Sequence, residues 1–536
     1  MFYTRLLKNC IYILIFGAFL LCSAQEDRFY IRTHSSSIDI PTKTVDSVVT
    51  YTGKDTRLEQ LFRLHKVKVF RKGFKYAERD KLKRTYFVIA ESPFLQEALL
   101  AEVGDIFEFG ESLKKEKLKI YEPNDYGITS TIGKNTGAQA FLDYYDFLGV
   151  PQAWHYTTGS RDVVIGISDG SVNTEDPDFA GKTIQFQKSP YSKGHGDSVA
   201  AIAAAQGDNG YGISGVCSDC SIYSTSYGDF KFFNQLLELS KAGAQVINCS
   251  WGSTRYYETA QEAINELRDN GTVIVSLPQN DPFSKTRGQS LRYPGAYEHV
   301  ISVGSVQHRY DSPQDNVLTS EKGKLYAANI KYHLARTGDF TNDDSKKGTY
   351  NLYTSATNNL DATVDIVAPG NFIFQHGKYI KDGSINHNPF PATSPAAPLV
   401  SGTIGLMFSL NPNLTVDEVN TIIKLTATNI DHIRANKPFT GMYGAGSLHT
   451  GRAVKFTHDM LANNEYAMVE NQYFTRWKFT LEEAKKIQIK NQTFEKKAVV
   501  HFNATDEILI KEESIFLPSH EGSILLTVGS PPLPLE

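Results

Sequence analysis

Short apolar runs alternate with amphipathic segments through the middle of the chain. The runs are rich in valine, isoleucine and small residues, and they read DVVIGISD, CSIYSTSY, QVINCSW, TVIVSLP and HVISVGSV. Segments with apolar residues at helical spacing, such as FFNQLLELSKAG and ETAQEAINELRDNG, separate them. This alternation is typical of an α/β fold with a doubly wound parallel sheet, in which functional side chains lie at the carboxyl ends of the strands. Asp169 and Asn280 both follow such runs.

The pattern changes in residues 461–536. The stretch EILIKEESIFLPSHEGSILLTV alternates apolar and polar positions and turns at Gly522, which predicts short strands. We therefore expect a small C-terminal β accessory domain. The pattern leaves its role open between docking to a cell surface, docking to carbohydrate, and packing on the rest of the protein.

The start of the chain has the pattern of an export signal. Residues 1–24 place Arg5 and Lys8 before an apolar run from Ile11 to Leu21, and small residues follow at Ser23 and Ala24. This order is typical of a cleaved secretory signal peptide, so we expect a secreted or extracellular protein, with cell-surface association as a further possibility. A membrane anchor is the alternative, but the apolar run is short for a span. A lipid anchor on Cys22 is weaker still.

A basic block follows within residues 25–121. Residues 57–86 hold eleven Lys and Arg against three Asp and Glu, a net charge of +8 in a chain whose overall charge is −4. A basic block beside an acidic remainder favours an intramolecular partner over nucleic acid. With 536 residues, of which 41% are hydrophobic, the chain is also long enough for a large core with smaller satellites.

The cysteines agree with an oxidising compartment. Outside the signal region only Cys217, Cys220 and Cys249 remain. The first two, in GVCSDCSIY, suit a local disulfide, while Cys249 suits a small buried hydrophobe on a core strand. A C-x-x-C pair is also compatible with a redox site or half a zinc site. Because no second pair is available to complete a zinc site, we favour the disulfide.

Three residue types in matching contexts indicate covalent catalysis. Ser394 opens a helix of small residues in PATSPAAPLVSGTIGLM, Asp169 closes a strand in ISDGSVNTEDPDF, and His195 enters a helix in KGHGDSVAAIAAA. A serine hydroxyl is a poor nucleophile unless an imidazole accepts its proton, and the imidazole needs a carboxylate that fixes its tautomer. The three residues therefore predict a nucleophile, a general base and an orienting acid.

Order, context and spacing together resemble the subtilisin-like serine peptidases, or subtilases. The order Asp, His, Ser is the order of that family, and Pro177, Asp178 and Phe179 follow in the family register. Further similar segments are QVINCSWGS, TVIVSLPQN, RYPGAYEHVISVGSV and VDIVAPG, so the resemblance runs from about Trp154 to about Val454. It implies a subtilisin-like fold and endopeptidase activity on proteins or peptides, without an organic cofactor.

The resemblance also assigns residues around the triad. Asn280 stands where the family carries its oxyanion-hole asparagine, which would act together with the backbone amide of Ser394. Ser250, Trp251 and Gly252 stand at the wall of the substrate cleft. For Trp251 the sequence leaves two orientations open, with the ring either at that wall or in the core.

The chain departs from the family beside these residues. The family glycine before the oxyanion asparagine is Gln279, and the glycine two residues before the nucleophile is Ala392. Both substitutions would narrow the cleft. Ser171 and Asp197 also differ from the family, and we consider that Asp197 raises the basicity of His195 if the two side chains come close.

The resemblance completes the domain prediction. Residues 25–121 correspond to an α+β propeptide that assists folding and occupies the cleft until it is removed, and 122–460 to the catalytic domain. Within that domain, 307–360 is an insertion. Many subtilases bind calcium, and the candidate ligands in the insertion are five aspartates: Asp311, Asp315, Asp339, Asp343 and Asp344. Because they lack a calcium-loop spacing, the sequence favours a solvated loop over a calcium site. The predicted protein is thus a secreted, self-processing zymogen. The alternative is a secreted binding or adhesion protein that keeps the fold and has lost turnover.

Overall fold

In the computed structural model the chain divides into two compact units, residues 1–118 and 119–536. The predicted signal peptide, residues 1–24, lies outside the described residues, as do the five aspartates of the predicted insertion. In the part of the chain that is described, no helix combines the length and the apolar character needed to cross a membrane. The described residues are 27–45, 48–74, 79–92, 94–113, 121–130, 136–189, 194–228, 232–281, 283–308, 317–320, 323–326, 341–342, 358–370, 373–376, 392–432, 436 and 439–529.

The first unit is an antiparallel sheet with helices. Its elements are β1 (Asp27–Thr33), β2 (Thr42–Val45), β3 (Val48–Tyr51), α1 (Thr56–His65), β4 (Val67–Lys72), α2 (Asp80–Lys83), β5 (Thr85–Ala90), α3 (Leu95–Glu102) and β6 (Phe107–Ser112). The main sheet has the order β4-β5-β1-β6, with all pairs antiparallel, and β2 pairs with β3 as a separate hairpin. Without the hairpin and α2, the chain follows the β-α-β-β-α-β plan. Phe29, Phe62, Val88 and Leu99 form part of its core.

Part of the basic block is neutralised inside this unit. Arg84 donates to Asp80 at 2.8 Å and to Glu108 at 2.5 Å, and Arg57 donates to Asp105 at 2.9 Å. These ion pairs give the block partners within its own unit. An intramolecular partner elsewhere in the chain therefore stays a prediction, because the block's charge alone does not require one.

The second unit is built on a seven-stranded parallel sheet. Its strands are β7 (Val164–Ser168), β8 (Thr183–Gln185), β9 (Ser221–Thr225), β10 (Val246–Cys249), β11 (Val273–Ser276), β12 (Val300–Val306) and β16 (Ile366–Pro369). The order is β16-β12-β11-β10-β7-β9-β8, and all pairs are parallel. The predicted doubly wound α/β fold is therefore confirmed. The apolar runs without alternating polar residues form strands that are buried on both faces, as expected for a parallel sheet.

The central strand, β7, marks the point where the strand order reverses. From β7 the sheet extends in one direction through β9 to β8 and in the other through β10, β11, β12 and β16, and the chain crosses from the first side to the second between β9 and β10. Its last residue, Ser168, is in register with Cys249 on one side and Thr225 on the other. The segments that follow these three residues meet at one sheet edge, where ligands bind in open α/β sheets.

Helices connect strands of the sheet and pack against it. They are α4 (Asp143–Leu148), α5 (Val150–Ala153), α6 (His195–Ala204), α7 (Asn234–Lys241), α8 (Glu258–Asp269), α9 (Phe283–Thr286), α10 (Ala396–Leu410), α11 (Val416–Leu425) and α12 (Thr450–Leu461). Helix α10 is apolar and is buried from Ala396 to Phe408, so it forms part of the core rather than of a surface layer. Helix α11 starts with a capping box between Thr415 and Glu418.

The C-terminal strands form parallel rungs. They are β17 (Ala467–Glu470), β18 (Tyr473–Phe474), β19 (Lys478–Lys490), β20 (Thr493–Lys496), β21 (Val499–Ile510), β22 (Ile515–Pro518) and β23 (Ser523–Val528). One sheet has the order β17-β19-β21-β23 and the other β18-β20-β22, with every pair parallel. Like residues stack from rung to rung, for example Phe474, Phe494 and Phe516.

This β region is continuous with the second unit. Thr480 N donates to Thr421 Oγ1 at 2.9 Å, and Glu482 N donates to Glu418 Oε1 at 2.9 Å. Its buried side chains also belong to the same core cluster as those of the large sheet. Of the expected insertion, the structure describes three short antiparallel strands, β13 (Val317–Ser320), β14 (Gly323–Tyr326) and β15 (Thr341–Asn342).

Candidate active site

Asp169 lies immediately after β7 and is fully buried. Its Oδ1 accepts three hydrogen bonds, from His195 Nδ1 at 2.6 Å, Gly170 N at 2.5 Å and the Tyr227 hydroxyl at 3.1 Å. Within the described residues its Oδ2 has no hydrogen-bond partner. Asp169 is thus held by the backbone of its own turn, by His195 at the start of α6 and by Tyr227 after β9.

His195 is the first residue of α6, and the backbone brings it close to Asp169. Gly194, the preceding residue, has a left-handed conformation with φ 85°. A Cβ atom on Gly196 would lie 2.0 Å from the carbonyl oxygen of Gly170, so only glycine allows the helix to approach the turn this closely. The approach leaves the imidazole at hydrogen-bond distance from the buried carboxylate.

The contact with Asp169 fixes the chemistry of the imidazole. A carboxylate only accepts hydrogen bonds, so His195 Nδ1 carries the proton and, in the neutral ring, Nε2 is an acceptor. Burial lowers the pKa of His195, but the hydrogen bond and the charge of Asp169 outweigh it, so the pKa lies above its usual value. The side chain is 37% exposed, and its Nε2 has the state that a general base requires.

Asp197 has a different role from the one considered from the sequence. Its Oδ1 accepts a hydrogen bond from the backbone of Asn173 at 2.7 Å, and the pKa shift of His195 arises from Asp169 instead. Burial raises the pKa of Asp197. The residue therefore holds the loop after Asp169 rather than tuning the imidazole.

Ser394 lies two residues before α10, and a chain of side chains fixes its backbone. The Ser250 hydroxyl donates to the carbonyl oxygen of Ser394 at 3.0 Å, and Asn248 Nδ2 donates to Ser250 Oγ at 2.9 Å. The Ser401 hydroxyl donates to Asn248 Oδ1 at 3.1 Å, which returns the chain to α10. In the described residues no hydrogen bond joins Ser394 to His195, a contact that in many enzymes tightens only when substrate binds.

Asn280 is positioned next to the serine by Thr393. The backbone N–H of Thr393 donates to Asn280 Oδ1 at 2.7 Å, and the Thr393 hydroxyl lies 3.0 Å from the same oxygen. A backbone N–H can only donate, so the carbonyl end of the amide must lie on Thr393 and the NH₂ group on the other side. The arrangement leaves amide donors at a position beside Ser394.

Gln279 lies against the expected substrate wall. Its φ is 76°, a left-handed conformation that glycine adopts without strain. A Cβ atom on Gly252 would meet Gln279 Nε2 at 2.7 Å, so the glutamine amide lies directly on the surface of Gly252. Ala392, the second departure from glycine, is buried, and its backbone N donates to Gly370 O at 3.1 Å.

The three residues predicted to line the substrate cleft have different surroundings. Trp251 is only 6% exposed, and its indole N–H donates to Ser168 O at 2.9 Å. Its ring faces the core, the second of the two orientations that the sequence left open, and it supports the residue before Asp169. The Ser250 hydroxyl is used to hold Ser394, which leaves Gly252 as the residue whose surface meets the Gln279 side chain.

The cysteines adopt the arrangement favoured from the sequence. A disulfide joins Cys217 and Cys220, whose Cα atoms are 5.4 Å apart. Its sulfur atoms pack against Gly159 and against Gly405 of α10. Cys249 is a free, buried thiol on β10, and burial raises its pKa. The bridge closes the short loop that precedes β9, and this loop packs against α10.

One buried carboxylate is suited to a hard cation. Asp125 Oδ2 is buried without a hydrogen-bond partner among the described residues, while Asp125 Oδ1 accepts from Asp208 N at 3.3 Å. Burial raises the pKa of Asp125 to about 7. An oxygen ligand that lacks a proton donor fits the preference of calcium, which binds carboxylates and carbonyls.

Sequence reasoning missed Tyr227 and Thr393. Each binds a predicted site residue through a contact between distant parts of the chain. Tyr227 follows β9 by two residues, and β9 neighbours β7, so its position after an adjacent strand end was a usable signal. Thr393 directly precedes Ser394, and only the folded structure shows that its backbone N–H and its hydroxyl both contact Asn280 Oδ1.

The parallel sheet, with Asp169 directly after its central strand, defines the class of α/β proteins whose functional side chains lie at the carboxyl ends of the strands. The family model for the subtilase family, peptidase S8, matches residues 160–446, more than half of the chain. The chain therefore belongs to the subtilase family, a family of serine endopeptidases, and the predicted resemblance is confirmed.

Characterised relatives give the same result. The chain is 33% identical over 206 residues to the thermophilic serine proteinase of Bacillus sp. (strain AK1), and the match covers 36% of this chain and 47% of that protein. It is 26% identical over 351 residues to thermitase of Thermoactinomyces vulgaris, covering 63% of this chain and 100% of thermitase. Subtilisin DY of Bacillus licheniformis is 25% identical over 244 residues, covering 44% of this chain and 71% of subtilisin DY. The chain thus spans about half the length of the first of these relatives.

Proposed function

We propose that the protein is a secreted serine endopeptidase that cleaves protein or peptide substrates through an acyl-enzyme on Ser394. His195 takes the proton of the serine hydroxyl and returns it to the leaving amine, and Asp169 holds the imidazole in the required tautomer. The observation that carries the proposal is the 2.6 Å hydrogen bond between His195 Nδ1 and the buried carboxylate of Asp169, at the switch point of the sheet.

Asn280 completes the chemistry by stabilising the oxyanion. As the serine oxygen adds to a carbonyl, negative charge develops on the carbonyl oxygen, and donors already aimed at it lower the barrier. The Asn280 amide is pre-oriented, because its oxygen is occupied by two donors on Thr393. The Ser394 N–H would be the second donor, next to the start of α10, where the helix dipole favours an anion.

We further propose that the chain is made as a precursor. Residues 25–121 would act as a propeptide that binds the catalytic cleft and is removed by the enzyme itself. The β-α-β-β-α-β unit with its own core supports this assignment, because such a segment can fold and act as a separate body. Export would follow from the pattern of residues 1–24, and the Cys217–Cys220 bridge suits an oxidising compartment.

Calcium is the ion we propose for the second unit, with Asp125 as one ligand. A bound cation would neutralise the buried carboxylate and bind the oxygen that lacks a hydrogen bond. Its role would be to stabilise the fold, since the triad mechanism needs no metal.

Three proteins test the proposed activity: the wild type, Ser394→Ala and a control, Ser409→Ala. Ser409 lies on the same helix, and its hydroxyl donates only to Gly405 O, one turn away. Each protein is analysed by intact mass, by labelling with a serine-reactive phosphonate, and by hydrolysis of a protein substrate. We expect the wild type and Ser409→Ala to lose the N-terminal segment, take one label and cut the substrate, and Ser394→Ala to do none of these.

The opposite result would favour the binding-protein alternative. If all three proteins stay full-length, unlabelled and inactive, even after another protease has removed residues 25–121, the peptidase proposal is wrong. Labelling and turnover without loss of the N-terminal segment would retain the peptidase and refute self-processing.

A further inference from the structure

A buried cluster of metal-ligating side chains lies outside the proposed triad. It consists of Asp176, Asp178 and His376, which are 9%, 0% and 3% exposed. His376 Nε2 lies 3.4 Å from Asp176 Oδ1 and 3.4 Å from Asp178 Oδ2. The two aspartates follow β7, and the histidine follows β16, so distant segments supply the three groups.

The two distances are those between neighbouring ligand atoms of a tetrahedral metal ion. N–H···O hydrogen bonds are usually about 2.9–3.0 Å long, so 3.4 Å is long for a pair of hydrogen-bonded ions. Zinc binds imidazole nitrogen and carboxylate oxygen at about 2.0–2.2 Å, which separates adjacent tetrahedral ligand atoms by about 3.3–3.6 Å. Both distances from His376 Nε2 fall in that range.

Hydrogen bonds from surrounding groups orient the carboxylates. Asp178 Oδ1 accepts from Asn209 Nδ2 at 2.8 Å, while Asp176 Oδ1 accepts from Asp178 N at 3.0 Å and Asp176 Oδ2 accepts from Tyr211 at 3.3 Å. Such outer contacts are what metal-binding carboxylates normally receive, since they hold the ligand atom in one direction. Asp178 Oδ2 accepts from Ile213 N at 3.4 Å and also lies 3.4 Å from His376 Nε2, so this oxygen is held facing the histidine.

The surroundings carry an excess of negative charge. Asp176 and Asp178 are both buried, and Asp197 adds a third carboxylate that interacts electrostatically with His376. One imidazolium neutralises only one of these carboxylates, whereas a divalent cation neutralises two.

We propose that Asp176, Asp178 and His376 bind a divalent transition metal of the zinc type, with a fourth position for water. The donor set selects the metal: imidazole suits zinc and its neighbours, whereas calcium prefers a shell of oxygen atoms. The site differs from the one proposed at Asp125, and it does not depend on the peptidase activity.

The ion would act as a cross-link rather than as a catalyst. The aspartates belong to the segment after Asp169, and His376 belongs to the segment between β16 and Ser394. The carbonyl oxygen of His376 also accepts from the Ser198 hydroxyl of α6 at 3.3 Å. A metal at this position would therefore tie together the three segments that carry Asp169, His195 and Ser394.

The test measures metal binding directly in the full chain, in a Ser394→Ala background that prevents self-cleavage. Metal-stripped protein is titrated with Zn²⁺ by calorimetry and with Co²⁺ by visible absorption, and thermal unfolding is followed with and without Zn²⁺. His376→Gln removes one ligand. The matched control is His458→Gln, which removes a half-exposed histidine whose Nδ1 lies 2.9 Å from Asp459.

We expect one zinc equivalent and the absorption bands of tetrahedral cobalt in the parent and in His458→Gln. In His376→Gln that equivalent should weaken by more than about 100-fold, since loss of even an outer contact costs 10–100-fold. The rise in melting temperature with zinc should disappear with it. Zinc bound weakly at His195 would survive the substitution, so it cannot account for the loss.

Three outcomes would overturn the proposal: no zinc binding in the parent, zinc binding unchanged by His376→Gln, or calcium binding that depends equally on His376. The first would leave the cluster as a buried ion triad. Asp176→Asn provides a second variant that removes a ligand from the other segment. If circular dichroism shows that His376→Gln does not fold, Asp176→Asn must lose the same equivalent for the proposal to stand.

Discussion

Replacement of Gln279 by glycine should widen the range of substrates that the peptidase accepts. The Gln279 amide occupies the surface of Gly252, where a Cβ atom would meet Gln279 Nε2 at 2.7 Å. In the proposed enzyme that surface belongs to the wall of the substrate cleft and would border the side chain of one substrate residue. The glutamine therefore leaves room for small or polar side chains there and excludes large apolar ones.

The size of the effect follows from the atoms removed. Glycine lacks the whole glutamine side chain, and an apolar substrate group that fills part of this space gains about 0.8 kcal/mol for each buried CH₂. Two or three such groups give roughly 2 kcal/mol, within the usual limits of about 10–200-fold for pocket filling. We therefore expect the ratio of kcat/KM for phenylalanine over alanine at that position to rise by about 10–100-fold.

A second effect of the substitution concerns the backbone. A non-glycine residue at φ 76° is strained by about 1–2 kcal/mol, and glycine relieves this strain while losing about 0.5–1 kcal/mol through chain entropy. The net gain in the free energy of unfolding should be about 0.5–1 kcal/mol. Gln279→Ala is the matched control, because it clears the same surface and keeps the strain.

The assay compares kcat/KM for two peptides that differ only in phenylalanine or alanine, together with urea unfolding in Ser394→Ala backgrounds. Both variants should show the new preference, and only Gln279→Gly should gain stability. An unchanged preference in both would mean that the glutamine does not border the substrate. A change in Gln279→Gly alone would assign the effect to the backbone and refute the cleft argument.

Three further predictions concern residues around the proposed catalytic groups and at the proposed calcium position. Tyr227→Phe removes a hydrogen-bond donor from the carboxylate of Asp169, so this carboxylate should attract the imidazolium of His195 more strongly. The apparent pKa of His195, measured from the pH profile of kcat/KM, should rise by up to about one unit. Ser250→Ala removes the hydroxyl that fixes the backbone of Ser394, so kcat should fall while KM stays nearly unchanged. It also leaves the Asn248 amide without its acceptor, so the free energy of unfolding in urea should fall by about 1–3 kcal/mol. Burial raises the pKa of Asp125 to about 7 in the folded chain, compared with 3.8 for the unperturbed group. In the presence of a chelator, the free energy of unfolding should therefore fall by up to about 4 kcal/mol as the pH rises from about 4 through 7. Asp125→Asn should remove this loss, as measured by urea unfolding at a series of pH values.

Each of these variants has a control. Tyr223→Phe removes a hydroxyl on β9 and should leave the pH profile unchanged, and Ser253→Ala alters a half-buried serine next to the predicted substrate wall. For the pH series, Asp162→Asn changes an exposed aspartate. Added calcium should restore the stability of the Asp125 protein above pH 7. A pH dependence that is equal in the Asp125→Asn protein would assign the effect to other groups.

The sheet could be predicted because its information is local. Strands buried on both faces need continuous apolar runs, and runs such as those that end at Ser168 and Cys249 contain little else. Their carboxyl ends share one edge of a parallel sheet, which also fixed the neighbourhood of Asp169 and Asn280. Motif context then paired Asp169 with His195, and the structure gives that contact at 2.6 Å.

The supporting contacts could not be predicted because they join distant residues. Tyr227 reaches Asp169 over 58 positions, and Thr393 reaches Asn280 over 113. The place of Tyr227 after the end of a strand next to β7 indicates its neighbourhood, but only the folded chain shows which oxygen its hydroxyl reaches. The orientation of Trp251 was undecided for the same reason, since its hydrogen bond to Ser168 depends on the pairing of β7 with β10.

The C-terminal rungs were recognised as strands but not as a parallel stack. Ala467 pairs with Ile487 and Ile487 with Ile508, whereas Val499 pairs with Ser523, so the spacing between stacked residues changes from rung to rung. Alternation within a strand shows which residues face inward. It contains no information on which strand becomes the neighbour, and a variable period hides the repeat.

The departures from the family around the triad form replacement contacts and leave the reacting groups in place. Ser171 donates to Ser189 O at 3.1 Å, and Asp197 accepts from the loop after Asp169. Gln279 lies on Gly252 and has a left-handed backbone, which glycine adopts without strain. Each side chain therefore acts on the loops that border the cleft. For this reason we expect the substitutions to change substrate choice and stability, while the proton transfer between Ser394 and His195 follows the family mechanism.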